Sequence, residues 1–187
     1  LLSPTKTMVE STKPIVSVCA IRTGCGKSQT TRIVSDILTE LGYNVVSVRH
    51  PMPYGNLVEQ KVQRFAQKED LAKHKCTIEE MEEYEPHIDR GRVIYAGVDY
   101  EAILREAEKE ADIVLWDGGN NDTPFYKSDL EIVVVDPHRP NHELQYYPGE
   151  TNFLRADIIV INKMDSADPE KVKIIEENAK KYNPNAQ

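Results

Sequence analysis

The sequence has no excess of basic residues. Its 187 residues include 23 Lys and Arg against 31 Asp and Glu, a formal net charge of −8, and the acidic residues are spread along the chain. A general nucleic-acid binder neutralises phosphates with clustered Lys and Arg. We therefore expect no nucleic-acid partner, and only a small local pocket to be basic.

Long hydrophobic runs are also missing. The longest, such as residues 132–135 and 158–161, are far below the roughly 20 residues that cross a bilayer. No basic-then-apolar leader opens the chain. These absences predict a cytoplasmic protein with no membrane partner.

Cysteine is scarce. The three cysteines, Cys19, Cys25 and Cys76, show no C-x-x-C spacing. An odd set without that spacing predicts reduced thiols and argues against a disulfide or zinc framework. With 40% hydrophobic and 29% charged residues, the composition is that of an ordinary globular protein and excludes a disordered or fibrous chain.

The ends of the sequence predict a piece of a longer polypeptide. The chain begins with Leu1 where a Met would stand, and it stops directly after a predicted helix. We expect a linker over residues 1–13 and one domain over residues 14–187 whose last strand is missing.

Strand and helix patterns alternate along that domain. Residues 14–21 and 44–50 are short β-branched runs on either side of a helical pattern at 29–41. The apolar positions of this helix are Ile33, Val34, Ile37, Leu38 and Leu41. Further strands are predicted at 93–96, 113–117, 131–136 and 158–162, with helices from Asp99 to about residue 110 and from Pro169 to about residue 182. The order predicts an α/β fold of three layers, α/β/α, around a mostly parallel sheet.

Residues 52–92 interrupt this alternation. Residues 56–74 have the pattern of an amphipathic helix with Val58, Val62, Phe65 and Ala66 on one side, and Thr77 to Glu80 form a capping box. The acidic run at 79–85 is expected to be a solvated face, with an interaction surface as the alternative. We predict an insert or a switch region.

The segment between the first strand and the first helix predicts a phosphate-binding loop. Such a loop needs glycines that expose backbone N–H groups, a lysine and a magnesium-binding hydroxyl. The predicted phosphate-binding residues are Arg22, Thr23, Gly24, Cys25, Gly26, Lys27, Ser28 and Gln29. The motif is incomplete, because its first glycine is replaced by Ile21. Lys27 would contact the β- and γ-phosphates, and Ser28 would bind Mg²⁺.

A second magnesium residue is expected where another strand ends. Asp117 follows four apolar residues and precedes two glycines, so we predict that it holds the metal or its water and acts with Lys27 in catalysis. Asn120, Asn121 and Asp122 follow at once. They would either orient a nucleophile or cap a turn.

The segment Asn162-Lys163-Met164-Asp165 predicts the base of the nucleotide. It lies between a strand and a helix, like the N-K-x-D element of GTPases. The carboxylate of Asp165 would accept from two guanine N–H groups, whereas adenine would leave it unpaired. Asn162, Lys163 and Asp165 are therefore candidate base-binding residues, with a helix-capping turn as the alternative.

Other polar residues cluster at the predicted strand ends. The candidates for a second-substrate or switch surface are His50, Asp136, Arg139, His142 and Glu150. Polar loops at the sheet edge are an equally weighted alternative.

These motifs resemble a group of P-loop proteins, the predicted GTPases related to cyclic 2,3-diphosphoglycerate synthetase. The similar stretches are residues 22–30, 49–53, 95–100, 116–122, 136–137, 148–150 and 162–165. The resemblance implies a P-loop NTPase fold in the branch of nitrogenase-iron-protein-like ATPases and metal-insertion GTPases, commonly homodimeric. It also implies a Rossmann-like domain upstream and further residues downstream.

Three functions follow as hypotheses. The first is a Mg²⁺-dependent GTPase. The second is an ATP-dependent ligase or phosphotransferase like the synthetase, acting on a small phosphorylated acid held by residues such as His50, Arg139 and His142. The third is a nucleotide-switched binding module with little turnover, in which residues 52–92 move.

Overall fold

The computed structural model describes residues 4–50, 52, 55–118 and 122–187. The strands of this part of the chain are β1 (Ile15–Ala20), β2 (Val45–Arg49), β3 (Gln63–Phe65), β4 (Val93–Ala96), β5 (Ile113–Asp117), β6 (Leu130–Val135) and β7 (Ile158–Ile161). Its helices are α1 (Pro4–Thr7), α2 (Lys27–Glu40), α3 (Lys68–Lys73), α4 (Ile78–Ile88), α5 (Tyr100–Ala107), α6 (Gly149–Arg155) and α7 (Pro169–Tyr182), with a short 3₁₀ helix at His142–Leu144.

The seven strands form one sheet in the order β3-β4-β2-β5-β1-β6-β7. Every neighbouring pair is parallel except β3 and β4. Because the parallel strands point the same way, the loops that follow β1, β2, β5, β6 and β7 meet at one edge of the sheet. Ligands of open α/β sheets bind at this edge.

The central strands explain the layered architecture. Every residue of β1, β2 and β5 is buried, although successive side chains in a strand point to opposite faces. Both faces of the sheet are therefore covered, as expected for parallel strands with helical connections. The predicted α/β fold with a mostly parallel sheet is confirmed.

Helix α2 has the predicted position but a different packing. Its buried residues are Lys27, Thr31 and Ser35, while Ile33 and Ile37 are 57% and 51% exposed. The helix thus turns small hydroxyl side chains towards the sheet and leaves part of its apolar stripe outside.

The prediction of an amphipathic helix at 56–74 is wrong. This segment contains a turn at 57–60, the edge strand β3 and the short helix α3. Phe65 and Leu71 pack with Tyr84, Ile88 and β4 residues in a small second core. The apolar residues follow the geometry of that core and not a single helical period.

Helix starts are predicted better, because they depend on local hydrogen bonds. The Thr77 side chain accepts from Glu80 N, Asp99 accepts from Ala102 N, and Asp168 accepts from Glu170 N. The acidic run at 79–85 is only partly solvated, however, because Glu80 is buried.

The edge strand β7 bonds with the last residue of the chain. The Gln187 N–H donates to the Asp157 carbonyl oxygen, and the Gln187 carbonyl oxygen accepts from Ile159 N, both at 2.9 Å. Over the described residues, no helix combines the length and the apolar character that a bilayer span needs.

Candidate nucleotide-binding site

The loop between β1 and α2 has the backbone of a phosphate-binding loop. Gly24 and Gly26 have φ of 86° and 97°, in the left-handed region that favours glycine. A Cβ at Gly26 would lie 2.0 Å from Asn162 Nδ2. Glycine is therefore required at residue 26 for conformation and for space.

Lys27 makes a buried ion pair with Asp117. Its Nζ donates to Asp117 Oδ1, which also accepts from Thr31 Oγ1 at 3.0 Å. The other oxygen, Oδ2, accepts from Arg49 at 2.9 Å. The ends of β2 and β5 and the start of α2 thus converge on one carboxylate that is 1% exposed.

The charges around Asp117 determine its protonation. Burial by itself would raise the pKa of Asp117, but Lys27 and Arg49 hold it well below its usual range. Arg49 is also buried, and its pKa is raised by Asp117 and Glu83 against the effect of burial. Its second guanidinium nitrogen lies 2.9 Å from Glu83 Oε1, so it connects Asp117 to α4.

The N-K-x-D segment contacts the phosphate-binding loop directly. Asn162 Nδ2 donates to the Cys25 carbonyl at 2.8 Å, and Lys163 Nζ donates to the Gly24 carbonyl at 2.6 Å. Lys163 Nζ also donates to Asp136 Oδ2 at 2.8 Å. Although burial opposes it, this bond lowers the pKa of Asp136. Asn162 and Lys163 thus hold the loop, and Asp165 is exposed beside it.

One cavity of about 640 Å³ joins these elements. Its lining includes Lys27, Ser28 and Asp165. Arg32 and Glu83 also line it, although neither was among the candidate residues. The volume and the polar lining suit a nucleotide.

A second cavity lies beside the start of the loop. It measures about 360 Å³ and is lined by residues that include Arg22, His142, Tyr146 and Gly149. The close approach of α6 creates this wall, because a Cβ at Gly149 would lie 2.4 Å from the Ile21 carbonyl oxygen. Nδ1 of His142 is buried and has no hydrogen-bond partner among the described residues.

The predicted second-substrate residues do not form one cluster. Asp136 is bound to Lys163, and His142 lines the cavity next to Arg22. Arg139 and Glu150 are exposed. His50 lies at the end of β2, where burial and the neighbouring Arg49 and Lys27 lower its pKa to about 4.

The remaining candidates have simpler surroundings. Burial raises the pKa of Cys25 to about 11, which fits a small packing residue and not a reactive thiolate. Thr23 and Gln29 are exposed in the loop region. Asn120 and Asn121 lie outside the described residues, while the Asp122 carbonyl accepts from Asn152 Nδ2 at 2.9 Å.

Sequence reasoning missed the residues that support Asp117 from neighbouring elements. These are Thr31 on α2, Arg49 on β2, and Glu83 and His87 on α4. Glu83 stands in an acidic run that resembles a solvated helix face. Only Arg49 had a local signal, because it directly precedes the candidate His50 at the end of the strand predicted at 44–50.

A family model for the P-loop domain of cyclic 2,3-diphosphoglycerate synthetase matches residues 90–187. The chain belongs to this family. The predicted relationship is therefore confirmed, and the P-loop fold of the family agrees with the loop geometry described above.

The family also includes longer proteins. Arginine synthetase ArcE of Thermococcus kodakarensis is 66% identical over 186 residues. The match covers 100% of this chain but 42% of ArcE, so the chain spans less than half of that relative.

Two solved structures share the fold of this cyclic 2,3-diphosphoglycerate synthetase family member. LpxK from Aquifex aeolicus, solved with ATP, has a TM-score of 0.63 and 15% identity, over 86% of this chain and 51% of LpxK. HypB from Helicobacter pylori, solved with nickel, has a TM-score of 0.53 and 14% identity, over 93% of this chain and 76% of HypB. At these identities the likeness concerns the fold alone.

Proposed function

We propose that the chain is the nucleotide-binding part of a nucleoside-triphosphate-dependent synthetase that forms arginine. The observation that carries this proposal is the 66% identity to an arginine synthetase over the whole chain. The 640 Å³ cavity on the phosphate-binding loop supports it, because a synthetase needs a place for the nucleotide whose cleavage drives bond formation. The ligase hypothesis thus has more support than GTP hydrolysis alone.

In this proposal Lys27 exchanges one anion for another. Its ammonium, now paired with Asp117, would contact the β- and γ-phosphates when the nucleotide binds. The N–H groups of the glycine loop would stabilise charge on the transferring phosphoryl group together with Lys27. Asp117 would remain neutralised by Arg49 and so would not need to be protonated.

The oxygen donors of the site fit magnesium. The Ser28 hydroxyl lines the cavity, and oxygen ligands are those that Mg²⁺ prefers. Thr31 and Arg49 each keep a hydrogen bond to one oxygen of Asp117 after Lys27 turns to the phosphates, so we assign Ser28 to the metal and Asp117 to a water on it. Among the described residues no group of three or more His, Cys, Asp or Glu could hold a metal. In this proposal the ion binds together with the phosphates and neutralises their charge.

The reverse reaction tests the synthetase. The purified protein is incubated with L-arginine, Mg²⁺, inorganic phosphate and either ADP or GDP, and formation of the triphosphate is measured together with cleavage of arginine into the precursors that the forward reaction joins. We expect triphosphate formation that depends on arginine and is lost in Lys27→Ala. A rate of triphosphate hydrolysis that neither arginine nor 2,3-diphosphoglycerate changes would refute the proposed synthetase activity.

GTP hydrolysis is the second candidate function. The observation that favours it is that Asp165 lines the same cavity as Lys27. Titration calorimetry with Mg²⁺ and GTP or ATP tests this reading. Tighter binding of GTP, lost in Asp165→Ala but retained in Asp168→Ala, would support a guanine site. Equal affinities for the two nucleotides would rule it out.

A further inference from the structure

A third cavity lies within residues 55–80, away from the nucleotide cavity. It measures about 180 Å³ and is lined by the loop before β3, the end of α3 and the start of α4. None of the described residues that line it also lines the nucleotide cavity. The cavity therefore needs its own explanation.

Glu80 is a buried carboxylate without a cation. It is 3% exposed, and its Oε2 accepts from Thr77 N at 2.8 Å. Across the described residues, no donor is bonded to Oε1 and no cationic nitrogen lies within 4.0 Å of the carboxylate. Burying a carboxylate without a cationic partner is costly. The helix cap occupies one oxygen of Glu80 and leaves the other open to a ligand in the cavity.

Two amide side chains, Gln63 and Gln60, also line this cavity. Gln63 is 4% exposed. Oε1 of Gln60 is buried and has no hydrogen-bond partner among the described residues. Together with Glu80 they offer three acceptors that would be satisfied by a ligand rich in N–H donors.

The rim of the cavity has the opposite charge. Lys73 and Lys75 line it and are exposed. Lys75 makes only a loose pair with Glu59, at 3.9 Å between side chains that are both largely exposed. Such a pair contributes little, so both ammonium groups are available to an anion at the opening.

We propose that this cavity binds a basic α-amino acid. Its guanidinium or ammonium group would meet Glu80, Gln63 and Gln60, and its carboxylate would meet Lys73 and Lys75. A guanidinium suits Glu80, Gln63 and Gln60 best, because its five N–H donors reach several acceptors at once. Where the ligand is arginine, the assignment rests on the proposed function.

The cavity is also connected to the nucleotide site. Glu80 and Glu83 lie one turn apart on α4, and Glu83 pairs with Arg49, which bonds to Asp117. Binding of the amino acid at Glu80 would position α4 and, through Arg49, the carboxylate next to Lys27. We therefore expect the affinity for arginine to depend on nucleotide, and the affinity for nucleotide to depend equally on arginine.

Calorimetric titration of the purified protein with L-arginine tests the site. Glu80→Gln removes the charge, yet a Gln at this position still suits the helix cap, and Lys73→Gln removes a rim cation. We expect Glu80→Gln to weaken arginine binding at least tenfold and Lys73→Gln to weaken it by a smaller factor, because an ion pair with an exposed ammonium contributes little. The matched control is Glu79→Gln, an exposed neighbour on the same helix, which should leave the affinity unchanged. Agmatine, which lacks the carboxylate, and L-citrulline, which lacks the positive charge, should both bind more weakly than arginine.

The outcomes separate this inference from the proposed function. Suppose that the Glu80→Gln protein folds, binds arginine with unchanged affinity and still forms triphosphate in an arginine-dependent way. That result would overturn amino-acid binding in the cavity but would leave the proposed synthetase activity standing. If L-lysine binds in a way that depends on Glu80, but no arginine-dependent triphosphate formation is found, amino-acid binding in the cavity is supported and the proposed synthetase activity is rejected. Failure of arginine, lysine and agmatine to bind would overturn the cavity.

Discussion

At the scale of single residues, the phosphate-binding loop depends on a glycine that a neighbouring side chain encloses. Gly26 combines a left-handed φ with the contact to Asn162, whereas Gly42 has a similar φ of 94° and open space around it. The two glycines therefore separate the effect of backbone strain from that of steric collision. The local sequence marks Gly26 as part of the phosphate-binding loop, but it does not show the steric contact, because Asn162 is distant in the chain.

We predict that Gly26→Ala abolishes nucleotide binding and that Gly42→Ala does not. The left-handed backbone costs a residue with a Cβ about 1–2 kcal/mol, so Gly42→Ala should lower the unfolding free energy by about that amount. Gly26→Ala should cost more, because the Asn162 side chain must also leave the Cys25 carbonyl. Urea unfolding and nucleotide titration measure both effects. Equal costs and intact nucleotide binding in both variants would contradict the prediction.

At the scale of elements, α2 is the helix whose packing departs most from its sequence pattern. Thr31 and Ser35 face the sheet and are buried, and Thr31 donates to Asp117. Ile33 and Ile37, which belong to the predicted apolar stripe, remain more than half exposed. The polar residues of α2 are thus used to build the site, and its apolar residues contribute less to the core than a hydrophobic pattern predicts.

We predict that the double substitution Ile33→Gln and Ile37→Gln changes the unfolding free energy by less than about 1 kcal/mol, since exposed substitutions are worth within about 0.5 kcal/mol each. The matched buried position is Ile103 on α5, which is fully buried. Ile103→Ala should cost about 2–5 kcal/mol. Denaturant unfolding at one protein concentration compares the variants. A loss of several kcal/mol in the double variant would show that the stripe is covered in the folded protein.

At the scale of the whole molecule, the unfolding free energy should depend on pH in the acidic range because of proton binding at His50. Its pKa is lowered from 6.5 to about 4 in the folded protein, so the unfolded chain binds a proton there before the native chain does. The unfolding free energy therefore falls as pH decreases from 6.5 towards 4. Asp117, whose pKa lies well below its usual range, keeps its charge over this window and loses its contribution only at lower pH.

We predict that His50→Gln makes the pH dependence of stability shallower between pH 6.5 and 4. Unfolding free energies measured by urea titration at several pH values provide the test. His138→Gln is the control, because His138 is an exposed histidine. If His50→Gln and the wild-type protein lose stability in parallel over this range, the pH dependence arises elsewhere.

The sequence determined the order of most elements, and it predicted the main residues of the proposed nucleotide site. Strand and helix periods, caps such as Asp168, and the glycine-lysine loop are local features, and their physical causes act within a few residues. The candidates Lys27, Asp117, Asn162 and Asp165 could be found because each follows or precedes a recognisable strand. Topology then had to bring them to one sheet edge, which parallel strands do by construction.

Only the tertiary structure decided which charged and apolar residues are buried. Arg49, Glu83 and Thr31 surround Asp117 although they are separated from it by 34 or more positions, and Glu80 is buried inside an acidic run that resembles a solvent-facing helix. Likewise, Ile33 and Ile37 remain exposed. The physical reason is that burial depends on the surfaces that distant elements supply, whereas the sequence pattern records only how a side chain suits its own helix or strand.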